Sequence, residues 1–114
     1  MTDYVYNYDP QLVASEAERY FHIPDGSVAE KNRTRRVARA RRITFKILRD
    51  SGWSYGDIGH VYERHYSTVV QVIRNWKEGD DEAFIIINRR CEARQKIEDF
   101  NEMHGPVAVT NAST

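Results

Sequence analysis

Apolar side chains recur along this chain at steps of three and four residues, the spacing that gathers them on one face of an α-helix. The first such segment covers residues 10–22 and ends at Pro24 and Gly26, which disfavour further helix. Asp9 before Pro10 is typical of a helix start, because the carboxylate caps free N–H groups and proline has none to leave unpaired. The apolar positions of this predicted first helix are Leu12, Val13, Ala17, Tyr20 and Phe21.

The same periodicity predicts a basic helix followed by a helix-turn-helix. The basic helix covers residues 34–51, and Gly52 suits its C-terminal cap. Residues 54–76 hold two short amphipathic segments that are joined by a tight connection at residues 63–65. Two short helices with so brief a connection are typical of a helix-turn-helix.

The last helical pattern covers residues 81–102 and is strongly apolar near its start. Four consecutive large apolar residues are more than one helix face can bury, and these are Phe84, Ile85, Ile86 and Ile87. Either the rest of the domain covers this helix on two sides, or part of it faces a second subunit in a homodimer. Residues 104–114 are predicted to form a flexible tail. With no pattern typical of strands, the predicted fold is one all-α domain of four to five helices over residues 1–103.

The charges are segregated along the sequence, although the formal net charge is zero. Residues 1–30 hold six acids and one base, and residues 31–49 hold nine bases and no acid. Residues 77–102 hold eight acids and five bases. Because a partner responds to the local field and not to the total, a neutral chain can still bind a polyanion.

Basic residues of the second helix form a row on a helical wheel. The row lies opposite the apolar side and consists of Arg35, Arg39, Arg42, Lys46 and Arg49. Neighbouring like charges are unfavourable by a few tenths of a kcal/mol per pair, whereas a line of phosphates would reverse the sign of that energy. The row therefore predicts a nucleic-acid partner. Arg41 falls instead within the apolar arc, where a charge needs a partner or a route to water.

The outer face of the second helix in the helix-turn-helix carries hydrogen-bond donors and no carboxylate. The donors are Arg64, Ser67, Thr68, Gln71 and Arg74. Phosphate oxygens and the N7 and O6 atoms of purines are acceptors, so this face suits the surface of a DNA duplex.

Four motifs occur in order between residues 13 and 76: "YFHI" at the end of the first helix, "RTRRVARAR", "SYGDIG" and "RHYSTV". Together they resemble the C-terminal DNA-binding domain of DnaA, the bacterial replication initiator. The resemblance covers a little over half of the chain. It implies a helix-turn-helix fold and binding to double-stranded DNA.

The resemblance also implies roles for individual residues. Arg33 matches an arginine that enters the minor groove, and Arg41 and Arg49 match contacts to the DNA backbone. Ser54 and Tyr55 begin the helix that crosses the backbone, and residues 64–68 form the turn that contacts the major groove. The wheel and the resemblance together predict DNA contacts from Lys31, Arg33, Arg35, Arg39, Arg41, Arg42, Lys46, Arg49, Ser54, Tyr55, Arg64, His65, Tyr66, Ser67, Thr68, Gln71 and Arg74.

The chain departs from the family pattern at two positions of that turn. His65 stands where the family has aspartate, and Tyr66 stands where it has histidine. An aspartate accepts a hydrogen bond from cytosine N4, whereas a histidine donor prefers a purine acceptor. We therefore expect a target site related to the DnaA box but different from it. The ATPase region of DnaA is absent and no Walker-type loop occurs, so we expect a free-standing DNA-binding domain.

Other classes of function find little support. The histidines have no metal-ligand spacing, Cys91 stands alone and no nucleophile motif occurs, so neither a metal, a cofactor nor an enzyme is expected. No run approaches the ~18 apolar residues of a membrane span. The tyrosines at the start, Tyr4, Tyr6 and Tyr8, could contact a partner or fold back over the core.

The function predicted from sequence is sequence-specific binding of double-stranded DNA. The expected role is transcriptional regulation or modulation of replication, at the nucleoid in the cytoplasm of a prokaryotic cell or a phage-infected host. The small size suits a protein of a phage or mobile element. The alternative is a protein-interaction module that uses the basic helix and the C-terminal helix for assembly.

Overall fold

The computed structural model describes residues 7–104, so Tyr4 and Tyr6 lie outside the described residues. These residues form five α-helices and one short 3-10 turn and contain no strand, which confirms the predicted all-α fold. The helices are α1 (Pro10–Phe21), α2 (Arg35–Asp50), α3 (Tyr55–Tyr62), α4 (Tyr66–Arg74) and α5 (Asp80–His104), with the 3-10 turn at Ser27–Ala29.

Side-chain caps begin two of these helices where the sequence places them. The Asp9 carboxylate accepts the Gln11 N–H at 3.1 Å ahead of α1, and the Ser54 hydroxyl accepts the Asp57 N–H at 3.0 Å ahead of α3. Each bond satisfies one of the N–H groups that a helix start leaves free. The glycine after α2, Gly52, has φ 120, a conformation that favours glycine at a helix end.

Helix α2 is the central element, because it contacts all four other helices. Its buried side chains Ile43, Phe45, Ile47 and Leu48 are fully enclosed. The other helices complete the core with Leu12, Val13 and Ala17 from α1, Ile58 and Tyr62 from α3, Val69 from α4, and Ala83, Ile87 and Cys91 from α5. The helix with the most basic sequence is therefore also the one that the rest of the domain surrounds.

Helix α5 packs against α1 and α2, so much of its apolar start is covered within the chain. Ile87 is buried, and the Phe84 ring meets the Trp76 ring edge-on at 6.1 Å between centroids. Of the four consecutive apolar residues near the start of α5, Ile85 is exposed at 50%. One side of α5 seals the core, and a homodimer through part of this helix stays a prediction.

Candidate nucleic-acid interface

The turn between α3 and α4 is tight because Glu63 adopts an unusual backbone conformation and Gly59 has no side chain. Glu63 adopts the left-handed conformation at φ 55, and the Arg64 N–H donates to the Gly59 carbonyl at 2.8 Å. A Cβ atom on Gly59 would lie 2.3 Å from the Arg64 carbonyl oxygen, so only glycine fits there. This close approach fixes the angle at which α4 leaves α3.

Helix α4 buries one side and exposes the other. Val69 is fully buried, and Val72 and Ile73 pack against the core. The exposed side carries Tyr66, Ser67, Thr68, Gln71 and Arg74. Four of the five donors expected on this face are therefore exposed on α4, whereas the fifth, Arg64, lies before α4 and is half-buried.

His65 organises the first turn of α4. Its Nδ1 accepts the Ser67 N–H at 3.2 Å and lies 2.8 Å from the Ser67 hydroxyl. Its ring also packs on the Tyr66 ring, with 4.7 Å between centroids. His65, one of the two residues that depart from the family pattern, is therefore the N-terminal cap of the helix that presents the donors.

A basic segment covers residues 31–36, which lead into α2 and form its first two residues, and its cations are exposed. The cations of this segment are Lys31, Arg33, Arg35 and Arg36, and all four lie at the surface. The Asn32 side chain accepts the Thr34 N–H at 2.8 Å, which shapes the backbone ahead of the helix. Arg36 was not among the residues expected to contact DNA, because it lies off the row on the wheel. It nevertheless belongs to the same run of bases, which contains no acid.

Two arginines join this basic segment to the helix-turn-helix through one carbonyl group. The Glu30 carbonyl oxygen accepts from Arg64 Nη2 at 3.0 Å and also from Arg41 Nη2. Arg41 Nε donates to the Val28 carbonyl at 3.0 Å, and Arg64 Nη1 donates to the Tyr62 carbonyl at 3.2 Å. The start of the basic segment is therefore held against the turn that leads into α4.

These contacts place Arg41 inside the domain, whereas its predicted contact with the DNA backbone needs an exposed side chain. Arg41 is only 8% exposed, and its guanidinium binds backbone carbonyls of the protein itself. Burial lowers the pKa of Arg41 below its usual value, and the nearby charge of Arg64 lowers it further. Arg64 is half-buried and serves the same junction, and its contact with the major groove stays a prediction.

The row of basic residues on α2, which the sequence predicts to face solvent along its whole length, is interrupted at its centre. Arg42 Nε lies 2.7 Å from one Asp80 carboxylate oxygen, and Arg39 Nε lies 3.2 Å from the other. The side chains of Arg42 and Asp80 are 7% and 0% exposed. A helical wheel places Arg42 in solvent because it describes one helix alone. In the folded chain, the first residue of α5, Asp80, packs on that side of α2.

Asp80 stays ionised in this buried position because its partners outweigh the desolvation. Burial disfavours the charged form, but hydrogen bonds from Arg42, from the Lys77 N–H and from Arg39 hold the pKa of Asp80 below its usual value. The Asp80 carboxylate thus neutralises charge that would otherwise be available to phosphates.

The remaining members of the row lie toward the end of α2. Lys46 pairs with Asp50 at 3.2 Å and is partly exposed, and Arg49 is exposed. The Arg49 guanidinium lies 4.8 Å from the centre of the Tyr55 ring, next to the exposed Ser54 cap of α3. The end of α2 at Arg49 and the start of α3 at Ser54 and Tyr55 therefore form one group on the surface.

Within residues 7–104 no cluster of three histidine, cysteine or acidic side chains is placed to hold a metal ion, and no helix has the length and hydropathy to span a membrane. Cys91 is buried. Burial, and to a lesser extent the Glu16 charge, raises the pKa of its thiol to about 12, so the thiolate is disfavoured. Cys91 therefore serves as a small apolar core residue.

Comparison with known proteins gives matches over the same helices. The family model described as the bacterial dnaA protein helix-turn-helix matches residues 10–75, which include α1 to α4 and the basic segment. The chromosomal replication initiator protein DnaA of Mycoplasma pneumoniae is 32% identical over 69 residues. That alignment covers 60% of this chain and 16% of the relative's length. Helix α5 and its Asp80 lie beyond the part that the family model matches.

Proposed function

This chain belongs to the family of the bacterial DnaA helix-turn-helix, and from that premise we propose that it binds double-stranded DNA in a sequence-specific manner. One observation supports this most strongly. The hydrogen bond from Arg64 to the Glu30 carbonyl, at 3.0 Å, holds the exposed basic segment beside the donor-rich start of α4. A reader of duplex DNA needs these two surfaces together, because cations bind the backbone while donors contact base edges.

In the proposed complex, the first turn of α4 enters the major groove, where Tyr66, Ser67 and Thr68 face base edges. Arg33 extends from the exposed basic segment and enters the adjacent minor groove, where narrow A·T-rich DNA attracts a guanidinium. The two ends of α2 supply the backbone contacts. Those contacts come from Lys31, Arg35 and Arg36 at one end and from Arg49, Ser54 and Tyr55 at the other.

The target is proposed to differ from the DnaA box, since His65 and Tyr66 replace residues of the family pattern. The proposed role is regulation of transcription or modulation of replication, at the nucleoid of a prokaryotic cell or a phage-infected host. The matched helix-turn-helix is not a catalytic domain, so binding is the proposed activity. The rival proposal is a protein-interaction module that docks its exposed cations on an acidic partner.

Selection from a random duplex library, followed by sequencing, tests the proposal. We expect enrichment of one motif that overlaps the DnaA box only in part. Competition at a single salt concentration then separates the two proposals, because a DNA reader prefers its motif to a scrambled duplex and a general polyanion binder does not. Equal competition by both duplexes would refute sequence-specific binding.

Two substitutions should separate base contact from backbone contact. Thr68→Ala is expected to weaken binding to the selected motif by about 1–3 kcal/mol and to leave binding to scrambled DNA nearly unchanged. Arg35→Ala should weaken both duplexes alike and reduce the salt slope by about one, because one phosphate contact is lost. Titrations over a salt series give both quantities. Arg89→Ala on α5 removes an exposed arginine outside the proposed interface and should change neither.

A homodimer through α5 is also proposed. Ile85 and Met103 are exposed at 50% and 78% and, being 18 residues apart, lie on the same side of the helix. A dimer would present two α4 helices to half-sites about one DNA turn apart. We expect a dimer mass in solution at micromolar concentration and a monomer mass for Ile85→Glu. Glu82→Gln, an exposed change on the same helix, is the control, and a wild-type monomer would exclude the dimer.

A further inference from the structure

His65 combines two features that are informative together: it caps α4 from its own side chain, and it stands exposed at the start of the donor-rich face. Resting on the proposed DNA binding, we infer that neutral His65 excludes cytosine at one position of the target site and selects a base whose major-groove edge offers an acceptor. It does so with a single hydrogen-bond donor, the Nε2–H group.

The hydrogen bonds around the ring decide which nitrogen carries the proton. The Ser67 backbone N–H lies 3.2 Å from Nδ1, and a backbone N–H can only donate. Nδ1 must therefore keep its lone pair, which assigns the proton of the neutral ring to Nε2. The Ser67 hydroxyl, 2.8 Å from the same nitrogen, can donate to it as well.

The cap also restricts where the remaining donor can point. Nδ1 is bound to the first turn of α4, and the ring packs on Tyr66 at 4.7 Å between centroids. Among residues 7–104 no hydrogen bond engages Nε2. His65 therefore offers a ligand one N–H donor on a ring whose position is already fixed, so little conformational freedom is lost on binding.

A lone donor discriminates among base edges in the major groove. Guanine presents N7 and O6 as acceptors, adenine presents N7 and thymine presents O4, whereas cytosine presents the N4 amino group, which is itself a donor. An aspartate in place of His65 has the opposite preference, because a carboxylate only accepts. The exchange from aspartate to histidine is thus expected to replace cytosine by a base with an acceptor at the position facing this residue.

Base substitution tests this assignment directly. In the duplex obtained by selection, the base at each position is replaced in turn by cytosine, with guanine as its partner. We expect one major-groove position at which cytosine weakens the wild-type protein about tenfold. His65→Asp, which retains a strong helix cap and can accept from cytosine N4, should bind that duplex at least as tightly as the selected one.

Repeating the selection with His65→Asp provides an independent readout. We expect the preferred base at that one position to change to cytosine, with the rest of the motif retained. Thermal unfolding followed by circular dichroism checks that the variant is folded.

Three results would overturn the inference. One is a motif with no position at which cytosine weakens the wild type but not His65→Asp. Another is an unchanged motif for His65→Asp. The last is an equal loss on all duplexes for His65→Asp, which keeps a helix cap, because that loss would assign the donor to a phosphate oxygen. Failure of the proposed function looks different, since the wild-type protein would then enrich no motif at all.

Discussion

Replacing Asp80 by asparagine is expected to lower the free energy of unfolding by about 3–5 kcal/mol. The Asp80 carboxylate is fully buried and accepts from Arg42 at 2.7 Å and from Arg39 at 3.2 Å. Asparagine has nearly the same shape, so the change leaves no large cavity. It does leave the Arg42 guanidinium, 7% exposed, without its counter-charge in a site that water scarcely reaches. Urea titration monitored by circular dichroism measures the loss.

The matched control is Glu82→Gln, which removes one negative charge from the same turn of α5 at an exposed position. A change within about 0.5 kcal/mol is expected for this control, as for most surface substitutions. A loss below 1 kcal/mol for Asp80→Asn would mean that the buried ion pair contributes little to holding α5 on α2. It would also mean that Arg42 is free enough to contact phosphates, as the sequence predicts.

The same ion pair predicts how the difference in the free energy of unfolding between wild type and Asp80→Asn varies with pH. The pKa of Asp80 is lower in the folded protein than in the unfolded chain, because the hydrogen bonds from Arg42, Lys77 and Arg39 outweigh burial. Its stabilising effect is therefore fully present above about pH 4, the usual aspartate pKa, and is lost as pH falls through the folded-state value. The gap between wild type and Asp80→Asn should close in acid below pH 4. A gap independent of pH would contradict the ion-pair explanation.

Gly59→Ala is expected to disrupt the helix-turn-helix, with a loss of about 2–3 kcal/mol in stability. The added Cβ would lie 2.3 Å from the Arg64 carbonyl oxygen, which is backbone and cannot rotate aside. The turn must open, and the 2.8 Å hydrogen bond from the Arg64 N–H to the Gly59 carbonyl is strained with it. Because α4 then leaves α3 at another angle, affinity for the selected motif should fall by at least about tenfold.

Gly56→Ala is the matched control on the same helix. The nearest atom to its Cβ would be the Ser54 hydroxyl at 3.9 Å, an ordinary contact. Since alanine is the better helix former, this variant should unfold at higher urea and gain up to about 1 kcal/mol. Similar stability for the two variants would show that the close approach at Gly59 does not limit the turn.

The helices follow from the sequence because the signals that produce them are local. A step of three and four residues identifies the buried side of α2, and Asp9 and Ser54 cap α1 and α3 as their sequence positions predict. The exposed donors of α4 follow from the same wheel that buries Val69. The order of the motifs was sufficient to identify the family, which the match over residues 10–75 shows.

Only the tertiary structure decided which cations remain available to a partner. Sequence placed Arg39 and Arg42 in one solvent-facing row, yet α5 brings Asp80 to them from 41 and 38 residues away. Sequence likewise left Arg41 without a partner and could not show that it meets Arg64 at the Glu30 carbonyl. The physical reason is that periodicity describes one helix in water. The charge that a side chain finally faces depends on which other helix packs against it.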